Sequence, residues 1–388
     1  MDQVLQTPEL LTRVFQLLHD DAKVRFVRSN LPTAARVCSL WRDIIEGIIW
    51  REPPAEALAK IRRTRRQHFA SNVRSLDFSG KRDPTVHALF DGLQFPRLRK
   101  LELGDSNQTH AGWHSTISQY FQPRLESLTL RWWDAKFTPE LLAVIQARCP
   151  HLKSICFYGV GEKVSPENFL TFIKACEHLE KIRLSLIPIS DNALVSNDLL
   201  LHLSKMKRLN YLDIDNNISR AELFERIKRG NSTPFQHLTK LELCATSPVM
   251  SAAVYVLPNV TKLTLCLKDG TGACFKDLSA MPNLRKLILL GTKATTLTRE
   301  ELDSLRALHH LEKLRIAPSD SCMQDIHAAH FTDADFDLMV SGLPEMRNFA
   351  FDVICEPRSI SPFKKLSQVG KTTVEWKLRS AGTEQHAS

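Results

Sequence analysis

An apolar residue, two others, an apolar, one other and a third apolar recur eleven times between Val73 and Phe351. The triplets are Val73-Leu76-Phe78, Leu98-Leu101-Leu103, Leu125-Leu128-Leu130, Leu152-Ile155-Phe157, Leu179-Ile182-Leu184, Leu209-Leu212-Ile214, Leu238-Leu241-Leu243, Val260-Leu263-Leu265, Leu284-Leu287-Leu289, Leu311-Leu314-Ile316 and Met346-Phe349-Phe351. Their first positions stand 22 to 35 residues apart, mostly in the twenties, a spacing that belongs to stacked supersecondary repeats. The alternation at the end of each triplet is a strand pattern, and helix-period stretches such as 140–145, 168–173, 198–203 and 335–340 lie between the triplets. One short strand joined to one amphipathic helix cannot bury its apolar side alone. Stacking the next copy on it creates a continuous core, with stability shared between neighbours.

This register is that of a leucine-rich repeat, so the expected class is α/β: a solenoid of about eleven strand-helix repeats with a curved parallel sheet. Proline stands two residues before the first apolar position in six units (Pro96, Pro123, Pro150, Pro258, Pro282, Pro344), where its fixed φ and missing donor suit a turn entering a strand. The asparagine that many such repeats carry three residues after the last apolar is found only at Asn217, so irregular turns are expected. Nine cysteines without a CxxC or CxxxC pair argue against a disulfide framework and against a zinc site. Cys149 and Cys176 each stand three residues before a triplet and read as small buried groups closing a helix. The fourteen histidines do not cluster; His151, His178, His237 and His310 each precede a triplet and read as turn residues. No metal or cofactor is expected.

The first fifty residues are different material. Leu10, Leu11, Val14, Phe15, Leu17 and Leu18 recur at helical spacing after Thr7-Pro8-Glu9, a helix start with proline in the first turn and an acid at the positive end of the dipole. A second helix is expected through Ala34, Val37, Cys38, Trp41, Ile44, Ile45 and Ile48 to Trp50. So small a block has little core of its own, and its large apolar residues suggest a surface that docks another protein's helices. From Thr7 to Trp50 the order Pro8-Glu9-Leu10-Leu11, Val14-Phe15, Leu18, Val37-Cys38-Ser39-Leu40-Trp41 and Ile49-Trp50 resembles an F-box. Thr7 stands where that family usually has leucine, and the stretch from Leu18 to Val37 is several residues longer, the excess lying around Ala22 to Asn30.

An F-box ahead of a repeat array resembles the F-box/leucine-rich-repeat proteins, and the phrases at 137–142 and 331–336 are similar to those of fungal members. The resemblance implies a substrate receptor of an SCF-type cullin ubiquitin ligase: the F-box binds the Skp adaptor, the repeats hold a protein substrate, and transfer chemistry belongs to other subunits. The adaptor contacts it implies are Pro8, Leu10, Leu11, Val14, Phe15, Leu18, Val37, Cys38, Trp41 and Trp50, some of which would serve as the block's own core. The expected organisation is an F-box over 1–52, a basic helical linker or N-terminal cap over 53–70, the solenoid over 71–378 and a disordered tail over 379–388.

Residues flanking the second apolar of each triplet point out of the sheet. Eight such positions are basic (Lys100, Lys181, Arg183, Lys240, Lys262, Lys286, Lys313, Arg315) and four acidic (Asp77, Glu102, Asp213, Glu242). Lys240, Lys262, Lys286 and Lys313 fill one slot in four successive repeats. At about 4.8 Å between strands, against a Debye length of about 8 Å, their potentials merge. The candidate substrate face is therefore Lys181, Arg183, Tyr211, Lys240, Lys262, Lys286, Lys313 and Arg315, with Trp132 as an aromatic anchor, and it suits an acidic or phosphorylated segment. The plainer reading, which the residue type favours, is that lysine in that slot is merely what a soluble strand tolerates. Trp113 is a further interface candidate, whereas Trp133 takes the slot of the inward asparagine and reads as core.

The net charge of +9 comes without an aromatic-interleaved basic motif, so nucleic acid is not the expected partner. The basic run Lys60, Arg62, Arg63, Arg65, Arg66 reads as a solvated helix face. No basic segment followed by an apolar one opens the chain and no run is long enough to cross a bilayer, so the cytosol or nucleus is the expected place, away from membranes. No glycine-rich phosphate loop or GxSxG elbow occurs, and Asp213 and Asp215 lie on an exposed strand; no intrinsic catalysis is expected. Residues Pro318 to His330 lengthen one repeat as a lid-like loop or a disordered insertion. Three readings stay open: a ligase substrate receptor, a non-ligase interaction scaffold, and a GTPase-activating repeat protein using Arg131 or Arg183.

Overall fold

The centre of each triplet pairs with the centre of the next. In the structure, a computed structural model that describes residues 7–24, 30–79, 85–104, 113–131, 137–159, 164–185, 195–218, 221–319, 325–328, 330–355 and 373–376, Leu76 pairs with Leu101, Leu101 with Leu128 and Leu128 with Ile155. All these pairings are parallel, as connections through a helix require. The chain divides into two compact units at Lys163/Val164.

The first unit opens with three helices, α1 (Pro8–Val24), α2 (Leu31–Ala34) and α3 (Ser39–Ile49), followed by α4 (Ala55–Ala59) and α5 (Arg63–Ala70). Four repeats follow: β1 (Ser75–Phe78), α6 (Thr85–Leu89), β2 (Lys100–Leu103), α7 (Trp113–Ser118), β3 (Ser127–Arg131), α8 (Pro139–Arg148) and β4 (Ser154–Tyr158). The single helix expected from Ala34 to Trp50 is broken. Val37 and Cys38 lie in the turn between α2 and α3, with Cys38 in extended backbone (φ −157°) as the N-cap of α3.

The front helices do have a core: Leu11, Phe15, Leu31, Ile45 and Ile48 are buried together, with Trp41 half-buried against them and edge-on to Phe15 at 5.1 Å. They are also tied to the repeats. At each step the carbonyl before one strand accepts two amides from the next repeat: Arg74 O from Arg99 and Lys100, Arg99 O from Glu126 and Ser127, and Glu126 O from Lys153 and Ser154. At the front, where no repeat precedes β1, Arg51 O accepts the amides of Arg74 and Ser75 at 2.7 and 3.0 Å. The ladder's first donors are thereby satisfied. The Arg51 guanidinium reaches back to Gln16 Oε1 on α1 at 2.5 Å, and Trp50 packs on Phe69 of α5 with ring centroids 4.5 Å apart.

One member of the basic run departs from the expected solvated face. Arg66 is buried, and its Nη2 donates to Ala59 O and Ile61 O at 2.8 and 2.9 Å while Nη1 donates to Leu89 O. Two of these carbonyls end helices α4 and α6, where the dipole is negative. Lys60, Arg62, Arg63 and Arg65 are exposed.

The second unit contains α9 (Pro166–Ala175), β5 (Lys181–Ser185), α10 (Asn197–Leu203), β6 (Tyr211–Ile218), α11 (Glu222–Gly230), β7 (Lys240–Ala245), α12 (Ser247–Ala253), β8 (Lys262–Leu267), β9 (Lys286–Gly291), β10 (Thr295–Leu297) and α13 (Arg299–Ser304). It ends with β11 (Lys313–Pro318), β12 (Ile326–Ala328), α14 (Asp333–Ser341), β13 (Asn348–Phe351), β14 (Ile354–Cys355) and β15 (Thr373–Trp376). Its main ladder runs β5-β6-β7-β8-β9-β11-β13-β15. The last strand fell outside the eleven triplets because Lys371 stands where the first apolar would be. A second parallel sheet, β10-β12-β14, also lay outside the expectation. It takes in part of the segment read as a loop, since Ile326–Ala328 pairs with Thr295–Leu297; residues 320–324 and 329 lie outside the described residues.

Local chemistry explains the helices and their limits. Thr138, Ser165 and Ser196 accept the amides of Leu141, Asn168 and Leu199 as N-caps, and Pro139 and Pro166 fill the first turn of α8 and α9. Tighter 3-10 turns also occur, at Val254–Val256 directly after α12 in the 22-residue repeat and at Phe275–Ala280 in the 24-residue repeat. In both units the result is an α/β leucine-rich-repeat solenoid.

Cys149 and Cys176 are the buried C-cap residues of α8 and α9. Burial pushes the thiols of Cys176 and Cys274 up to about 12, from an ordinary value of 9.0. Their folded values lie above the unfolded one, so their contribution to stability is complete below pH 9 and is lost as pH rises toward 12. Urea midpoints should therefore fall across that window, and the doubly substituted Cys176→Ala/Cys274→Ala chain should show a shallower fall. Equal slopes for the two chains would refute the assignment.

Candidate interaction surfaces

Helix α1 carries two apolar faces. Leu11 and Phe15 turn inward to the core just described, while Leu10, Val14, Leu17 and Leu18 repeat at i, i+4, i+7 and i+8 on a face open to solvent. Val14 is 49% exposed and Val37, in the turn before α3, is 63% exposed. Pro8 and Cys38 are exposed as well. The ten residues expected at an adaptor contact thus separate by geometry. Pro8, Leu10, Val14, Leu18, Val37 and Cys38 are open; Leu11, Phe15 and Trp41 build the block, and Trp50 is half-buried on α5. Leu17 belongs to the open row and was missed, although its helical spacing from Leu10 and Val14 identified it.

The second surface is the solvent face of the ladder in the second unit. Lys240, Lys262, Lys286 and Lys313 stand in register, each the Cα partner of the next. Lys240 is already engaged: its ammonium lies 2.6 Å from Glu242 Oε1 and 4.1 Å from the Tyr211 ring centroid. Around Tyr211 a closed polar group forms. Its hydroxyl lies 3.0 Å from Glu242 Oε1 and 3.2 Å from Asp213 Oδ2, and it accepts from Arg183, whose Nε is 2.5 Å from Asp213 Oδ2. Burial, with Asp213 and Glu242 alongside, pushes the phenol strongly upward, so it stays protonated as a donor.

Lys262, Lys286, Lys313 and Arg315 differ. Among the described residues, none of the four has a carboxylate within 4.0 Å. Lys286 in the middle of the row is held below the ordinary lysine value, by burial first and then by Lys313, Lys240 and Lys262. A depression of about 240 Å³ opens here, lined by Lys240, Lys262, Lys286 and Arg315 with Glu242 on one side, and by the apolar Ile288 and Leu290. The last two were not singled out from the sequence, though alternation places them on this face.

Lys181 is exposed on β5. Neither Arg131 nor Arg183 is a free guanidinium: Arg131 Nε lies 2.7 Å from Glu102 and its Cζ 4.6 Å from the Tyr158 ring, and Arg183 serves Asp213. Asp213 is accordingly spent on an ion pair. Trp132, Trp133 and the side chains of Trp113 and Asn217 lie outside the described residues, as does the tail beyond residue 376.

Among the described residues, no group of His, Cys, Asp and Glu is arranged to hold a metal ion, and no helix is long and apolar enough to cross a membrane. No protein-family model matches the chain, and no curated protein matches it. Among solved structures the chain is similar to an internalin (inlF) from Listeria monocytogenes, at 14% identity and a TM-score of 0.41, over 79% of this chain and 88% of that one.

Proposed function

We propose that this chain is the substrate-recognition subunit of an SCF-type E3 ubiquitin ligase, working in the cytosol or nucleus, with its front helices docking the Skp adaptor and its repeats holding a protein substrate. The observation that carries the reading is the open apolar row of α1. A helix that has already filled its own core with Leu11 and Phe15 still presents Leu10, Val14, Leu17 and Leu18 to solvent. Such a row is costly to leave uncovered and suits a partner's helix. The chain contributes binding in this reading; ubiquitin transfer belongs to the cullin-bound partners.

A second reading, an interaction scaffold that recruits no cullin, holds if the extra residues around Ala22 to Asn30, of which α1 takes in Ala22 to Val24, spoil adaptor docking. Retention of the full-length chain on immobilised, purified Skp adaptor separates the two. Saturable capture at micromolar protein supports the ligase receptor, and no capture leaves the scaffold.

A further inference from the structure

We propose that Cys244 on β7 and Cys266 on β8 form a reversible oxidation site, in which a hydroperoxide converts the two thiols into a disulfide across the solvent face of the ladder. The proposal stands apart from adaptor docking and from what the repeats hold.

The argument starts from register. Cys244 is the Cα partner of Cys266, and alternation turns both side chains to the face that carries Lys240, Glu242, Lys262 and Thr264. Adjacent strands lie about 4.8 Å apart, inside the Cα separation of about 4.4 to 6.8 Å that a disulfide spans. Both residues are thiols in this structure. In the first unit, by contrast, Cys156 has Thr129 as its β3 partner. Cys266 is also the Cα partner of Leu290, a wall of the depression on this face, so the bond would form at the edge of a candidate interaction surface.

Exposure sets the order of events, because Cys266 is partly open and Cys244 is buried. The Cys266 sulfur attacks one oxygen of the hydroperoxide and breaks the O–O bond, giving a sulfenic acid and releasing the other oxygen as an alcohol or water. The Cys244 sulfur then attacks the Cys266 sulfur. An S–S bond forms, and the hydroxyl leaves with the Cys244 proton as water. Each sulfur gives up one electron and the peroxide takes two. A disulfide holds its Cβ atoms about 3.8 Å apart, so the two strands must close by about 1 Å. The end of β7 can yield, since its register with β6 breaks between Ile214 and Ile218. A bond made against the strand spacing is readily reduced, which suits a reversible mark rather than a permanent staple.

The test treats the reduced full-length chain with hydrogen peroxide, alkylates the remaining thiols and reads tryptic peptides by mass spectrometry without reduction. Trypsin separates the relevant residues: Leu241–Lys262 carries Cys244, Leu263–Lys268 carries Cys266 and Asp269–Lys276 carries Cys274. The folded chain is expected to yield the first two peptides joined, two hydrogens lighter than their sum, and dithiothreitol should restore both thiols. Cys244→Ser and Cys266→Ser should each abolish the joined species. In Cys244→Ser, where the second step has no sulfur to complete it, dimedone should capture Cys266 as its sulfenic acid. The same oxidation in urea supplies the comparison without a fold. There the shorter loop closes more easily, so a bond between Cys266 and Cys274, eight residues apart, should displace the native pair.

Recovery of Cys244 and Cys266 as alkylated thiols from folded chain whose exposed Cys38 has been oxidised would overturn the proposal, as would the same mixture of bonds from folded and urea-unfolded chain. Adaptor retention is measured on the reduced samples. Its absence leaves the oxidation site standing, and failure of the disulfide leaves the ligase reading untouched.

Discussion

Val14→Asp is expected to abolish retention of the chain on immobilised Skp adaptor while leaving the front helices folded. Val14 stands in the middle of the open row, one turn from both Leu10 and Leu18, and is 49% exposed. In the free chain a carboxylate there meets water, so little stability is lost. In a docked helix-to-helix interface it would be buried without a partner, at a cost of roughly 3 kcal/mol or more, or over a hundredfold in affinity. Phe15→Asp would lose adaptor binding for a different reason, because Phe15 is in the core beside Trp41. The two are told apart by far-UV circular dichroism and thermal melting, which should be near wild type for Val14→Asp alone. Undiminished capture of a folded Val14→Asp chain would show that this row is not the docking surface.

Arg66→Ala should be the most destabilising single replacement in the basic run, by about 3 kcal/mol. The guanidinium bonds three carbonyls, of Ala59, Ile61 and Leu89, and two of them are the negative ends of helices. Removing it leaves those acceptors short of donors in a buried place and deletes the positive charge that the dipoles face. Arg66→Lys should recover only part of the loss, since one ammonium cannot reproduce the planar fork. Arg63→Ala, three residues earlier on the exposed side of α5, should stay within about 0.5 kcal/mol of wild type. Urea unfolding followed by tryptophan fluorescence reads the difference, because Trp50 packs on α5 at Phe69. Similar midpoints for Arg66→Ala and Arg63→Ala would show the buried hydrogen bonds to be dispensable.

The sequence carried the ladder because strand alternation and repeat spacing are one-dimensional facts. Once Leu76, Leu101 and Leu128 are recognised as equivalent, their pairing follows. What it did not carry depended on three-dimensional neighbours. Arg66 reads like the other cations of its run, and only the arrival of helix ends at Ala59 and Leu89 buries it. Val37 and Trp41 look alike as apolar members of one helix, yet a turn at Val37 exposes the first and the Phe15 ring half-covers the second. The strand at 373–376 was hidden by Lys371, and β12 by the lack of a full triplet in a long repeat. The lysine row was legible in place but not in state: register predicted four equivalent cations, and Glu242 with Tyr211 claims one of them.

The carbonyl of Arg51 has a mechanical consequence. By receiving the first amides of β1, while its own guanidinium holds Gln16 on α1, this residue leaves no slack between the leading helices and the strands of the first unit. A protein that grasps those helices therefore grasps a handle rather than a leash, and the direction in which the opening strands project from it is fixed by hydrogen bonds instead of being sampled by a swinging tether.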